Sequence, residues 1–375
     1  MRISVAGAGP AGLLFAWLVK RRNPAWEVRV VEQNPHDATF GFGVVFSQGA
    51  LAFLERDAPE LHRMLGERME SWPMQRIVHR GEKVDIDGNG FSAIGRLELL
   101  QFLQPLCRDA GVELRFRQAV GSPEELKEAD LVVAADGVNS VFRRAGESAF
   151  GTRTEWLSNR FAWYGVELPF ECLTLTFRGN ADGAFVAHHY RYSPAMSTFL
   201  VECDEATWRK AALDSRSDDE SRRYCEGVFA EDLKGKPLIS NKSVWRQFPL
   251  LSNARWREGK VVLIGDALRT MHFSIGSGTR AAFEDAIALD RALAEAGEDV
   301  PRALALFEQA RRPVVEKLHA AANQSSYWYE KFPGKMARFD ALGLAYDYMT
   351  RSGRLGDERL EKMAPEFMRR VRAAR

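Results

Sequence analysis

The sequence predicts an α/β fold in which a nucleotide-binding domain on a parallel sheet carries an inserted, mainly antiparallel β-sheet and ends in helices. Three observations predict it. The chain opens as strand, glycine turn, helix. Buried-strand composition followed by a polar turn recurs at residues 130–135 and 260–264. Between those two recurrences the pattern changes to alternating aromatic and β-branched residues.

In order, residues 2–6 (RISVA) read as a short buried strand, Gly7-Ala8-Gly9-Pro10-Ala11-Gly12 follows at once, and residues 13–22 continue as a helix. Gly7 allows the tight turn, Gly9 lets a pyrophosphate approach the backbone, and Gly12 lets the helix pack close on the strand. The helix N-terminus, with Pro10 and Ala11 in its first turn, offers N–H groups to an anion. A second strand over residues 27–31 ends in Glu32 and Gln33, where a Rossmann-like unit uses a carboxylate to accept hydrogen bonds from a ribose. The spacing fits an adenosine diphosphate moiety and leaves NAD and FAD both open.

Residues 33–47 contain Gly41-Phe42-Gly43-Val44-Val45-Phe46 and are expected as a glycine–aromatic loop suited to lining a flat ring. Residues 51–68 read as short surface helices divided near Pro59, and 75–86 alternate as strands do. Arg96 opens a helix over 97–110 whose apolar stripe is Leu99, Leu100, Leu103 and Leu106. An arginine in a first helical turn opposes the dipole, so a phosphate contact or a salt bridge must account for it. Residues 130–135 run into Asp136-Gly137-Val138-Asn139-Ser140, with Ser140 as a helix N-cap. Residues 160–202 then alternate as an antiparallel sheet that would roof the site, and helices are expected near 205–213 and 218–232. Residues 260–264 lead into Gly265-Asp266-Ala267, then Gly276-Ser277-Gly278-Thr279 and a long helix through Ala296. A carboxylate at a strand end facing a glycine turn is a second place for polar ligand groups. Pro313 should kink or break the next helix, and a helical, charged tail closes the chain. The expected boundaries are 1–72, 96–158 and 256–331 for the nucleotide domain, 73–95 and 159–255 for the substrate domain, and 332–375 for the tail.

The 52 basic and 51 acidic residues nearly cancel, which leaves no electrostatic footprint for nucleic acid or an anionic membrane. Cys107, Cys172, Cys203 and Cys225 are scattered without CxxC spacing, so they read as core thiols rather than metal ligands or a disulfide framework. No charged leader and no apolar run near membrane-spanning length is present, and a soluble cytoplasmic protein is the expectation.

Taken together, the GxGxxG turn with Glu32, the Asp136-Gly137 element and the Gly265-Asp266 element resemble the flavin-dependent aromatic hydroxylases with one nucleotide-binding domain, the p-hydroxybenzoate hydroxylase-like enzymes. The resemblance covers most of the chain. It implies noncovalent FAD, with Gly7, Gly9, Gly12 and Glu32 at its ADP half, Arg96 on its phosphates, Asp136 and Ser140 near the pyrophosphate, and Asp266 on the ribityl chain. Backbone N–H groups of Gly276, Ser277, Gly278 and Thr279 would face the flavin's pyrimidine edge. NADH or NADPH would reduce the flavin, dioxygen would add at C4a, and the resulting hydroperoxide would hydroxylate an electron-rich ring. The strings His272-Phe273-Ser274-Ile275-Gly276 and Phe161-Ala162-Trp163-Tyr164-Gly165 look like the salicylyl-CoA and aminobenzoyl-CoA hydroxylases, and like the violacein-pathway hydroxylase. His272 and His188 are the expected catalytic histidines, Phe46, Tyr164, Tyr190 and Phe273 the expected substrate-facing aromatics, and an aryl-CoA thioester the expected substrate. An NAD-dependent dehydrogenase would leave Asp136 and Asp266 unexplained. A hydroxylase of an indolic pigment precursor and a non-enzymatic flavoprotein scaffold stand as the other readings.

Overall fold

A computed structural model describes residues 1–47 and 49–375. The chain forms two compact units: Met1–Thr39, Leu97–Glu155 and Pro249–Ala320 make the first, and Phe40–Arg96, Trp156–Phe248 and Ala321–Arg375 the second.

The first unit is built on a six-stranded sheet ordered Arg257–Glu258, Val261–Leu263, Leu131–Ala134, Arg2–Ala6, Glu27–Val31, Glu113–Arg115. Every pair is parallel except the Arg257–Glu258 hairpin. Its central strands, Val261–Leu263, Leu131–Ala134 and Arg2–Ala6, read as largely apolar runs because helices cover both faces of such a sheet. The Pro10–Arg22 helix buries everything from Ala11 to Val19, and the Gly278–Ala296 helix packs beside it. Three strands that end at Ala6, Ala134 and Leu263 lie side by side and in register. Their carboxyl ends therefore deliver the glycine turn, Asp136 and Asp266 to one edge, where open α/β sheets bind ligands.

The second unit holds a seven-stranded mixed sheet ordered Leu238–Ser240, Arg160–Val166, Ser197–Cys203, Gly183–Arg191, Leu173–Asn180, Gln75–His79, Glu82–Ile86. Strand alternation splits its residues between two layers. Ala162, Tyr164, Val166, Phe199 and Val201 face a layer with Cys225, Phe229 and Leu233. Leu175, Phe177 and Val186 face Tyr329, Phe332, Leu344 and Phe367 of the C-terminal helices.

Several expectations are corrected here. Residues 40–72 belong with the seven-stranded sheet rather than the nucleotide domain, and the tail is the cover of that sheet rather than a separate region. Residues 43–47, expected as loop, form the strand Gly43–Ser47, because they pair antiparallel with Phe91–Gly95. The helices Ala52–Asp57 and Pro59–Gly66 are not superficial, since Leu54, Leu61 and Leu65 are fully buried. Pro313 does not break its helix, which runs unbroken over Val300–Tyr329. Burial of Leu304 and Phe307 before it, and of Val315 and Ala322 after it, holds the axis while one backbone hydrogen bond is forgone. All four cysteines are buried and free. Among the described residues no helix is long and apolar enough to cross a membrane, and none of the acidic, histidine and cysteine side chains cluster as metal ligands.

Candidate active site

At the carboxyl edge of the parallel sheet the three turns touch. A Cβ on Gly7, whose φ is +98°, would lie 2.4 Å from the Ala135 carbonyl oxygen and 2.9 Å from Asp136 Cα. One on Gly12 would lie 2.1 Å from the Gly7 oxygen, and one on Gly265 3.3 Å from Ala11 Cβ. Glycine is therefore required at Gly7 and Gly12 by the chain's own packing. Gly9 differs: among the described residues nothing lies within 4 Å of a Cβ there. Neighbour packing therefore does not require glycine there, and room is left beside the turn.

Two long helices start at this edge. Gly9 precedes the Pro10–Arg22 helix and Ser277 precedes the Gly278–Ala296 helix, neither with a side-chain cap nor an acidic residue in the first turn among the described residues. Their leading N–H groups are thus available to an anion or to acceptor atoms of a ring. Glu32 braces the glycine turn: one carboxylate oxygen accepts from Ala8 N–H at 2.9 Å, the other from Asn34 N–H at 2.8 Å. The second oxygen also accepts from the Asn34 side-chain amide at 2.7 Å, and these three bonds leave acceptor capacity on the first oxygen for a ribose. Beside it, Gln33 is exposed.

Asp136 Oδ2 accepts from Val141 N–H at 2.8 Å, while Oδ1, sealed from solvent, has no partner among the described residues. Burial pushes this carboxyl above the ordinary aspartate range, against the pull of Ser140 and Val141. Ser140 accepts from Arg143 N–H at 3.1 Å as the expected N-cap. Ser277 Oγ is likewise buried without a partner among the described residues. Asp266 is exposed on its turn, and Gly276, Gly278 and Thr279 are half-buried. An open glycine, two buried oxygens without partners among the described residues and an exposed strand-end carboxylate are compatible with a dinucleotide that carries a polyol chain.

Sequence reasoning missed what holds these turns. Asp285, fully buried, accepts from Gly265 N–H at 3.1 Å and from both terminal nitrogens of Arg269 at 2.7 and 2.9 Å, and also bonds Arg311. From the other side Arg143 donates to the Ala267 carbonyl at 3.1 Å and to the Val138 carbonyl. The Asp266 turn is thus pinned at both ends, and Arg143 ties it to the Asp136 loop. The available signal was an aspartate inside the apolar stripe Ala281, Ala282, Ala286, Leu289, where an unpaired charge does not survive burial.

The expected catalytic and substrate side chains fare differently. His272 is 1 % exposed, caps the Phe273–Ile275 turn through Nδ1 accepting from Ser274 N–H at 3.3 Å, and lies 4.1 Å from the Phe273 ring. It is a buried turn cap, and Phe273, half-buried, is the more accessible of the pair. His188 and His189 do point to opposite sides of their strand, as alternation requires. His188 stacks on Tyr329 at 5.1 Å with Glu202 at 3.5 Å, beneath the C-terminal helices, so it is a packed residue rather than a base facing substrate. His189 bonds Thr176 at 2.9 Å against Phe199 on the other side, and burial pulls its pKa down to about 3. Tyr164 and Tyr190 cannot share a cavity, because they stand on opposite faces. Tyr164 is fully buried in the Cys225–Phe229 layer, and Tyr190 donates to the Gly43 carbonyl at 2.8 Å. Phe46 is also fully buried. Among basic side chains of the second unit, Arg76 binds Asp85 and Glu171, Arg80 caps the carbonyls of Met336 and Ala337, and Arg63 pairs with Glu67. These cations are spent locally.

Residues 100–322 match the model of a family described as FAD binding domain. The chain belongs to that family. It is an FAD-dependent aromatic monooxygenase, as its relatives are. A salicyloyl-CoA 5-hydroxylase of a Streptomyces species is 41 % identical over 94 % of this chain and 70 % of its own length. The protodeoxyviolaceinate monooxygenase of Chromobacterium violaceum is 37 % identical over 90 % of this chain and 91 % of its own. The 3-hydroxy-4-methyl-anthranilyl-[aryl-carrier protein] 5-monooxygenase of Streptosporangium sibiricum is 38 % identical over 89 % of this chain and 90 % of its own. Among solved structures, PqsL of Pseudomonas aeruginosa, a probable FAD-dependent monooxygenase, superposes with a TM-score of 0.70 at 19 % identity, covering 93 % of this chain and all of that one. At that identity the likeness is one of fold.

Proposed function

We propose that this monooxygenase hydroxylates an aromatic ring carried as a CoA thioester, salicylyl-CoA first among candidates, at the position para to the ring hydroxyl, with NAD(P)H as reductant. What carries the reading is the 41 % identity to a salicyloyl-CoA hydroxylase over nearly the whole chain. The aryl-carrier-protein relative supports it, since its ring too is borne on a large handle. Bound FAD supplies hydride acceptance and the activation of dioxygen for electrophilic attack. The residues then have separable tasks. Gly9 and the Pro10–Arg22 helix accept the pyrophosphate, Glu32 the ribose, and Arg96 the phosphates. Asp266 takes ribityl hydroxyls, and the N–H groups of residues 276–279 stabilise negative charge that develops on the ring system. Phe273 packs against the substrate ring and helps exclude water.

The ring hydroxyl donates electron density to its para carbon, which is what electrophilic attack needs. A handle bound remotely can hold the ring in place, so a truncated thioester should lose turnover as well as affinity. The test is the catalytic efficiency of NAD(P)H-coupled product formation with salicylyl-CoA, free salicylate and an indolic substrate. Highest efficiency with the thioester is expected. Higher efficiency with free salicylate contradicts the thioester reading, and higher efficiency with the indolic compound favours the violacein-like alternative.

A further inference from the structure

The Gly41-Phe42-Gly43 segment is fitted to the seven-stranded sheet residue by residue. A Cβ on Gly41, whose φ is +73°, would stand 2.7 Å from the Trp163 ring, and one on Gly43 2.6 Å from Tyr192. In the reverse sense a Cβ on Gly165 would stand 2.4 Å from the Phe42 ring. Three aromatic rings thus sit over three missing side chains. Polar bonds fix the same segment. Asn241 donates to the Gly41 carbonyl at 3.2 Å, and Gly43 N–H donates to Thr198 Oγ1 at 2.8 Å. Tyr190 O–H donates to the Gly43 carbonyl at 2.8 Å. Tyr190 and Thr198 are direct cross-strand partners, 6 % and 1 % exposed, so both polar groups of one buried glycine depend on one side-chain pair. An unpaired N–H or C=O at this depth is expensive.

The segment leads to Arg96. Arg96 N–H donates to the Phe42 carbonyl at 2.7 Å, and Gly43 pairs with Gly95 in the strand ladder. Burial raises the Tyr190 pKa, keeping the hydroxyl a donor, while the Arg96 charge is near enough to act the other way.

We propose that Tyr190 and Thr198 are positioning residues: they hold Gly43, and through the Phe42 carbonyl they fix where the Arg96 helix start stands, so that flavin affinity depends on two hydroxyls that touch no flavin. The proposal rests on the reading that Arg96 binds FAD phosphates. It also removes Tyr190 from the substrate-contacting set.

The test is a set of FAD dissociation constants, read from flavin fluorescence quenching on the apoprotein. Tyr190→Phe, which keeps the ring volume, and Thr198→Val should each weaken FAD about tenfold. Thr198→Ser, which keeps the acceptor, should bind as wild type. Arg96→Ala should weaken FAD at least as much, and Tyr190→Phe should add nothing in the Arg96→Ala background. Wild-type FAD affinity in Tyr190→Phe alongside a weakened Arg96→Ala overturns the proposal but leaves the Arg96 reading intact. The same is true if Tyr190→Phe weakens FAD equally in both backgrounds, since it then acts on the fold and not through Arg96. Wild-type affinity in Arg96→Ala overturns the underlying reading and the proposal with it. A rise in aryl substrate KM with unchanged FAD affinity would return Tyr190 to the substrate site.

Discussion

The carboxyl edge of the parallel sheet and the interior of the seven-stranded sheet differ in what surrounds their polar side chains. At the carboxyl edge of the parallel sheet, Asp136 and Ser277 keep buried oxygens without partners among the described residues, Asp266 is exposed, and Gly9 faces open space. Inside the seven-stranded sheet's unit, Tyr190, Thr198, His189 and Asn159 each have a hydrogen-bond partner in their own unit, while His189 Nδ1 and Asn159 Oδ1 stay buried without a partner among the described residues. The first unit is unfinished where a ligand completes it. The second is covered on both faces of its sheet by its own helices and their apolar side chains. An unmet buried polar group costs stability, and where it stands beside an open glycine turn and an exposed carboxylate a bound ligand can meet it.

Breaking the support of the open edge should have the largest effect. Asp285→Ala leaves Arg269 and Arg311, 4 % and 7 % exposed, without their shared carboxylate and orphans Gly265 N–H. A loss of about 3–5 kcal/mol in urea unfolding is expected. A loss below about 1 kcal/mol would mean that the pair does not hold the turn. Next, Asp266→Ala should weaken FAD by about tenfold or more, the value of ribityl hydroxyl bonds to a charged acceptor, while Glu298→Ala leaves it unchanged. Equal FAD retention in the two variants would remove Asp266 from the site. Denaturation should release the flavin from the wild type, and flavin that stays with precipitated protein would disprove noncovalent binding.

The closed region offers a pH test. His189 is depressed from 6.5 to about 3, so it folds neutral, and its contribution is present above pH 6.5 and lost as pH falls toward 3. Between pH 6.5 and 5 the wild type should lose about 2 kcal/mol more than His189→Gln, whose amide still reaches Thr176. Parallel loss in both would place the acid sensitivity elsewhere. The smallest effect tests the open edge from the other side. Asp136 has a raised folded pKa, so its favourable contribution exists at low pH and disappears as pH rises through that value. Asp136→Asn should therefore stabilise the apoprotein at pH 7, less so in acid, while weakening FAD. A destabilised apoprotein at pH 7 would show that the carboxylate serves the fold.

This contrast also explains what the sequence made legible. Gly7, Gly12, Ser140 and the strand-end acids announce themselves because backbone geometry and chain order dictate them locally. Tyr164, Tyr190, His188 and Phe46 did not reveal their surroundings, because strand alternation assigns faces but not which layer will cover each face. His188 is covered by Tyr329, more than a hundred residues downstream, Tyr164 by the layer of Cys225, Phe229 and Leu233, and Tyr190 by Trp72 and Cys172. Asp285 and Arg143 were missed for a related reason: their partners lie on other elements, and no local spacing names them.

Hydrogen exchange of the backbone amides, with and without FAD, tests the contrast most directly. FAD should slow exchange at residues 9–12, 138–141, 265–268 and 276–280, and leave the strands Arg160–Val166 and Ser197–Cys203 unchanged. Protection confined to the seven-stranded sheet, with the three turns unaffected, would contradict the account.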